Sequence, residues 1–310
     1  MLPLYKRLGM SPLIMAALMM LASGIMNLTP WGGPTARAAS ALHVDPSDVF
    51  IPMILPMIAA IVWLYFVGYM YGRMERKRLG IVELDVSHGD DIQISNNPEA
   101  NRAHLRWFNA LLTVVLMICL VQGILPMSIL FMVALCIALV VNYKDVDMQK
   151  TLIANHAGSA LNVVGIIFAA GIFTGILTGT GMVDSMSKEL VAIIPESMGP
   201  FLAPITAIVS MPLTFFMSND AFYYGVLPIL SEAAAHYGIT PVEMARASIV
   251  GQPVHLLSPL VPSTYLLCGL VGIELGQHQK FTIKWAILTC FVMLAAALVL
   301  GVFPFYSTLQ

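Results

Sequence analysis

The chain has 310 residues, 58% hydrophobic and only 10% charged, with a formal net charge of −2 and a mean hydropathy of +0.84. Soluble domains carry about a quarter charged residues, so this composition excludes an ordinary soluble protein and describes a polytopic membrane protein. The slightly acidic balance lacks the basic footprint of a nucleic-acid binder, and Cys119, Cys136, Cys268 and Cys290 sit in apolar runs with no metal-site or redox spacing.

In chain order, residues 1–9 are a short start carrying Lys6 and Arg7. Residues 12–28 are apolar and break at residues 27–34, where Thr29, Pro30, Gly32, Gly33 and Pro34 interrupt a helix. A second apolar piece runs to Leu42, and residues 49–71 are long enough for a full span, which takes about 20 residues. Residues 73–106 are the long polar stretch, opening with Arg73, Arg76, Lys77 and Arg78, and read as a cytoplasmic linker. Two short apolar runs, 107–121 and 127–141, follow, and 143–156 reads as polar. Residues 157–177 read as a span, with Gly171, Gly175 and Gly179 placed for close helix contact. Residues 183–197 read as an interfacial amphipathic helix.

Residues 200–230 are apolar but interrupted by Pro204, Pro212 and Ser218-Asn219-Asp220. Two arms of about 12 residues meeting at a polar tip predict a re-entrant hairpin. Residues 251–264, GQPVHLLSPLVPST, place Pro253, Pro259 and Pro262 inside an apolar run, which predicts a second discontinuous helix. Freed backbone groups at membrane depth need protein or a water-lined cavity around them. In secondary transporters such breaks mark the substrate site. Residues 281–303 form a last span.

The start of the chain resembles its end. Gly9-x-Ser-Pro12 matches Gly238-x-Thr-Pro241, Met15-Ala16 matches Met244-Ala245, and Thr29-Pro30 matches Ser258-Pro259, all at an offset of 229. Placing Arg73–Arg78 inside by charge puts Lys6 and Arg7 inside too, while the matching start of the second copy falls outside. The expected fold is therefore an all-α membrane protein: an inverted-repeat secondary transporter with a re-entrant hairpin and two discontinuous helices. The expected organisation is residues 1–74 as a partial first repeat, 75–106 as a linker, and 107–310 as two short spans and the second repeat. Nothing in the first copy corresponds to the span and hairpin that precede the second, so the first repeat reads as incomplete and the chain as an N-terminal truncation. A secretory signal peptide is a rival reading of residues 1–39, but it leaves the Trp31-Gly-Gly-Pro34 break unexplained.

The stretches SGIMNLTPWGGPTARAAS, MSNDAFYYGVLPIL and GQPVHLLSPLVPSTYLL resemble the CitMHS family of citrate–metal:proton symporters, within the ion transporter superfamily. The resemblance implies uptake of citrate complexed to a divalent metal such as magnesium or calcium, coupled to protons, across the inner membrane. It implies no permanently bound cofactor, partners limited to citrate–metal, protons and the lipid bilayer, and a homodimer. No nucleic-acid partner is expected.

Candidate substrate residues follow from the breaks. Asn27, Thr29, Gly32, Gly33 and Thr35 line the first, where a half-helix N-terminus attracts an anion and glycines permit close approach. Arg37, one turn on, suits a carboxylate; otherwise it pairs with an unseen acid or snorkels. Ser218 and Asn219 at the hairpin tip offer oxygen ligands, and Asp220 is a candidate for the metal or for the coupled proton. In the second break His255 is a candidate proton relay, or is satisfied by a carbonyl. Ser258, Ser263 and Thr264 read as ligands or as helix caps. Arg246, close to the Pro241 boundary, reads as a snorkelled side chain near Glu243. An intramembrane enzyme is disfavoured because HExxH and GxSxG are both absent. A carrier for another di- or tricarboxylate or organic anion, sodium-coupled or not, and a non-functional truncated fragment remain the alternatives.

Overall fold

The computed structural model describes residues 2, 5, 8–80, 103–122, 124–182, 185, 189, 195 and 197–307, and among these every regular element is helical. The chain forms two compact units, residues 1–84 with 169–310, and residues 85–168. Three helical stretches, Pro46–Leu79, Gly199–Phe216 and Leu275–Val299, are long and apolar enough to cross a membrane.

In the first unit, α1 (Pro12–Met26) and α2 (Gly33–Ala41) are the halves of a broken helix, followed by the long α3 (Pro46–Leu79). Near the other end, α9 (Pro241–Ser248), a 3-10 turn (Ile249–Gly251), the short α10 (Gln252–His255) and α11 (Pro262–Val271) form the second broken helix, followed by α12 (Leu275–Val299). The element starts keep the sequence offset: Pro12 and Pro241, Gly33 and Pro262, and Pro46 and Leu275 are each 229 positions apart.

Each copy opens on a proline whose missing N–H costs nothing in the first turn. The caps differ, however. Thr240 and Glu243 form a capping box, with the Glu243 carboxylate accepting from the Thr240 N–H at 2.8 Å. In the first copy the residue matching Glu243 is Ile14, and the carboxylate comes instead from α3: Glu75 accepts from the Ser11 N–H at 3.0 Å. Arg78 holds Glu75 in place and also donates to the Gly9 carbonyl at 2.8 Å.

The long helices α3 and α12 pack against each other, and α1 lies on both. An aromatic cluster closes that seam: Tyr71 stacks on Phe281 at 5.4 Å and meets the edge of Trp285 at 5.6 Å. Helices α1 and α10 cross where Gly24 meets Pro253; a Cβ on Gly24 would lie 2.6 Å from the Pro253 Cα. These two residues are themselves 229 apart, so equivalent positions of the two copies touch each other.

Between the copies lies α7 (Leu202–Phe216), preceded by a 3-10 turn (Gly199–Phe201). A π-helical segment (Ala221–Val226) and α8 (Leu227–Ala235) follow it. The chain doubles back at residues 217–220. A Cβ on Gly199 would lie 2.1 Å from the Tyr237 ring, so the feet of the two arms meet.

The second unit contains α4 (Arg106–Val121), α5 (Met127–Asn142) and the first turns of α6 (Val146–Gly179). Asn109 and Asn142 exchange amide hydrogen bonds, both at 2.8 Å, clasping α4 to α5. Such pairs hold helices together where no water competes.

Several expectations from the sequence change here. Helix α3 runs to Leu79, beyond the boundary at Tyr71, because Arg73–Arg78 continue it as good helix formers until Gly80 ends it at φ 75°. Helix α6 starts at Val146, taking in the stretch read as polar; Lys150 pairs with Asp147 at 3.0 Å and no Pro or Gly interrupts those turns. The hairpin arms are longer than expected, 15 residues in α7 alone. Among the described residues, a Cβ on Gly175 or Gly179 would meet nothing within 4 Å, so no close helix contact uses them. Lys6 and Arg7, most of the amphipathic segment read at 183–197 and the central part of the linker lie outside the described residues.

Candidate functional site

In the first break the chain turns on itself through short backbone bonds, among them Leu28 N–H to Ile25 O at 3.3 Å and Gly32 N–H to Thr29 O at 2.7 Å. Thr29 donates its hydroxyl to Met26 O at 3.0 Å, and the fully buried Thr35 donates to Leu28 O at 2.8 Å. Both hydroxyls thus satisfy carbonyls that the break frees. A Cβ at Gly32 would fall 2.0 Å from Asn27 O, so the turn itself requires glycine there. Gly33 serves Arg37: a Cβ on it would lie 2.5 Å from the Arg37 Nη1. No side chain caps the first turn of α2, so its positive dipole end is not offset by a side-chain oxygen; Pro34 has no N–H to offer, and the Ala36 N–H is bonded to the Gly32 carbonyl at 3.1 Å.

The second break is held in a similar way. Thr264 is 229 positions after Thr35 and donates its hydroxyl to Leu256 O. Gln279 of α12 donates to Leu257 O at 2.7 Å. His255 meets Thr214 O through Nδ1 at 2.6 Å. A carbonyl only accepts, so Nδ1 carries the proton. Ser258 donates to Phe215 O at 2.6 Å and accepts from the Leu260 N–H at 3.1 Å. The second break is therefore docked on the C-terminal end of α7, just before the hairpin tip. Gly251 presses on the same helix, where a Cβ would lie 2.8 Å from the Ser210 carbonyl carbon. Ser263 is exposed on the first turn of α11.

The hairpin tip meets the first break. Arg37 Nε donates to Asp220 Oδ1 at 2.6 Å, with side chains 26% and 42% exposed, so the pair is reachable from outside. Ser218 Oγ accepts from the Ala221 N–H at 3.1 Å and starts the second arm. Fully buried Gln252 joins the three discontinuities. Its Oε1 accepts from Asn27 Nδ2 at 3.1 Å, and its Nε2 donates to Asn219 Oδ1 at 3.3 Å and to Tyr223 OH at 2.9 Å. The π-helical segment that carries Tyr223 begins directly after Asp220, and such segments are frequent at functional sites.

Of the residues singled out in the sequence, Asn27, Arg37, Asn219 and Asp220 converge directly or through Gln252. Thr29, Thr35, His255, Ser258 and Thr264 hold the breaks in shape. Gln252 and Tyr223 were not singled out. Gln252 carried a signal, a lone amide in an apolar run beside Pro253. Buried His278, with Nδ1 3.3 Å from Thr282 and Nε2 without a partner among the described residues, was not singled out either. Among the described residues Arg246 makes no ion pair with Glu243. It donates Nε and Nη2 to Asp48 O at 3.0 and 2.8 Å, and Nη1 to Val302 O at 3.0 Å. Pro52 has no N–H to give Asp48 O one turn back, and the guanidinium takes its place.

Among the described residues no three His, Cys, Asp or Glu side chains group as metal ligands.

The family model of CitMHS, described as citrate transporter, matches residues 1–251. A Bacillus subtilis (strain 168) protein described as a citrate transporter is 58% identical over 308 residues, 98% of this chain and 71% of that protein. A second, described as a Mg(2+)/citrate complex secondary transporter of the same organism, is 51% identical over 302 residues, 97% of this chain and 70% of that protein. A third, the uncharacterized transporter YraO of that organism, is 47% identical over 309 residues, 97% of this chain and 70% of its own. No solved structure matches.

Proposed function

The chain belongs to the CitMHS family of citrate transporters, and on that premise we propose that it is a membrane carrier for citrate, taken up as a divalent-metal complex together with protons. The observation that carries this reading is the meeting of a break and a hairpin tip through Arg37 and Asp220. Citrate carboxylates are placed at Arg37 and the uncapped first turn of α2, where a bidentate guanidinium and a helix dipole both favour an anion. The metal sits at Asp220 with Asn219. The coupled proton is carried by Asp220 or by His255. The family is one of carriers and not of enzymes, so the cargo leaves chemically unchanged.

Transport in this reading is alternating access, in which one repeat-derived bundle moves against a scaffold that includes α4, α5 and α6. Matching element starts and the Gly24–Pro253 crossing support an inverted repeat. The Arg73–Arg78 turn supports a cytoplasmic end for α3. A carrier for a different di- or tricarboxylate, coupled to sodium, is the alternative within the same class.

The test is uptake of labelled citrate into proteoliposomes holding the purified protein. Uptake that rises with magnesium and with an inward proton gradient supports the proposal. Citrate uptake indifferent to both would overturn the metal–proton mechanism, and sodium dependence would select the alternative.

A further inference from the structure

We infer that the Arg37–Asp220 ion pair is the site's internal stand-in for its cargo, and that exchange of this pair is what makes the cargo a metal complex instead of a free acid. The inference rests on the citrate reading and says why metal is needed.

The two charges come from different segments. Arg37 belongs to α2 behind the first break, and Asp220 to the hairpin tip, 183 positions later. Both are part-exposed, so an incoming solute can reach them. The Arg37 Nη1 lies over Gly33, where a Cβ would come within 2.5 Å of it. Beside it stands the uncapped first turn of α2, which is also electropositive. The Arg37 side of the pair is therefore an anion site whether or not Asp220 fills it.

Consider each solute in turn. A free citrate anion can take Arg37, but it displaces Asp220 and then faces a second, unpartnered carboxylate at close range, which is repulsive. A free divalent cation can take Asp220, but it leaves Arg37 unpaired beside a double positive charge. The complex replaces both partners at once, with carboxylates on Arg37 and metal on Asp220. Like-charge juxtaposition thus rejects the two single solutes, which is specificity by repulsion as much as by attraction. It also orients the cargo, metal end towards the hairpin tip. Asn219 is held beside Asp220 by Gln252, which fixes the tip that receives the metal.

The experiment is calorimetric titration of the purified full chain with citrate, with and without magnesium, at matched free citrate. Wild type should bind citrate with magnesium and bind it at least about a hundredfold more weakly in chelator, two charge contacts being at stake at roughly tenfold or more each. Magnesium alone should give no binding. The variant Asp220→Asn removes the carboxylate that repels free citrate and ligates metal. It should bind metal-free citrate at least about tenfold more tightly than wild type and show less than about tenfold dependence on magnesium. Full wild-type metal dependence in Asp220→Asn would overturn the inference. Should that variant not fold, the neutral double variant Arg37→Gln with Asp220→Asn is titrated, with its melting curve as the folding control. It should lose the magnesium dependence together with affinity; magnesium–citrate binding at wild-type strength would overturn the inference. If wild type binds no citrate in either condition, the citrate reading itself fails and takes this inference with it, an outcome distinct from intact metal dependence in the variants.

Discussion

The crossing of the two broken helices at Gly24 and Pro253 gives the sharpest stability prediction. A methyl group at position 24 would sit 2.6 Å from the Pro253 Cα, 3.1 Å from its nitrogen and 3.2 Å from its Cβ. Non-bonded carbons prefer about 3.5–4.0 Å, so Gly24→Ala must push α1 and α10 apart by about 1 Å. The obstacle is backbone and cannot rotate away. Overpacking of this kind costs about 1–3 kcal/mol, which outweighs the gain of roughly 0.5–1 kcal/mol that alanine brings to a helix interior. The same displacement would stretch the 3.1 Å bond between Asn27 and Gln252 beyond hydrogen-bonding distance. The control is Gly72→Ala in α3, where a Cβ meets nothing within 4 Å. In detergent melting curves Gly24→Ala should unfold lower by several degrees, at on the order of 2–4 °C per kcal/mol, while Gly72→Ala should melt at or above wild type. A Gly24→Ala protein as stable as wild type would refute the close crossing.

Replacing Gln252 with Leu removes three side-chain bonds and leaves Asn27 and Asn219 without their shared partner. At about 1–2 kcal/mol for the lost positioning, magnesium–citrate affinity should fall roughly tenfold or more; unchanged affinity in titration would remove Gln252 from the site. Thr35→Val and Thr264→Val each orphan one carbonyl of a break, Leu28 O and Leu256 O. Both should lower stability by a similar amount, about 1–3 kcal/mol, as read by thermal unfolding, since the two positions match. Arg246→Lys should destabilise by about 1–2 kcal/mol with little change in citrate affinity, because one ammonium cannot span Asp48 O and Val302 O as the planar fork does.

The class of the protein and its breaks were readable because composition and the Pro/Gly punctuation carry them. Pro12 and Pro241, 229 positions apart, each stand in the first turn of a helix, where φ is already set, so the offset survives there as a geometric register. Arg37 and Asp220 could each be picked out as costly charges in apolar surroundings. Their pairing could not, because it depends on how the hairpin tip folds back. The partners of Arg246 were hidden for the same reason: the Asp48 carbonyl is free only because Pro52, far away in sequence, has no N–H to give it, and the Val302 carbonyl lies near the other end of the chain. The start of α6 was missed because polar residues 146–156 give no periodic signal, although nothing in them stops a helix. Gly32 was read for a ligand's approach, whereas the chain's own carbonyl at Asn27 occupies that space. Sequence thus revealed where the chain breaks, and tertiary contacts decided which polar groups the breaks consume and which remain for a cargo.

The most direct test of the site is protection of its rim. Ser218 is exposed at the hairpin tip, two residues from Asp220, and Ser218→Cys can be followed by alkylation after Cys119 and Cys136 are changed to Ser; Cys268 and Cys290 are buried. Citrate with magnesium should slow that alkylation at concentrations that saturate binding, and citrate or magnesium alone should not. Alkylation that proceeds at the same rate while magnesium–citrate is demonstrably bound would place the cargo elsewhere and contradict the account.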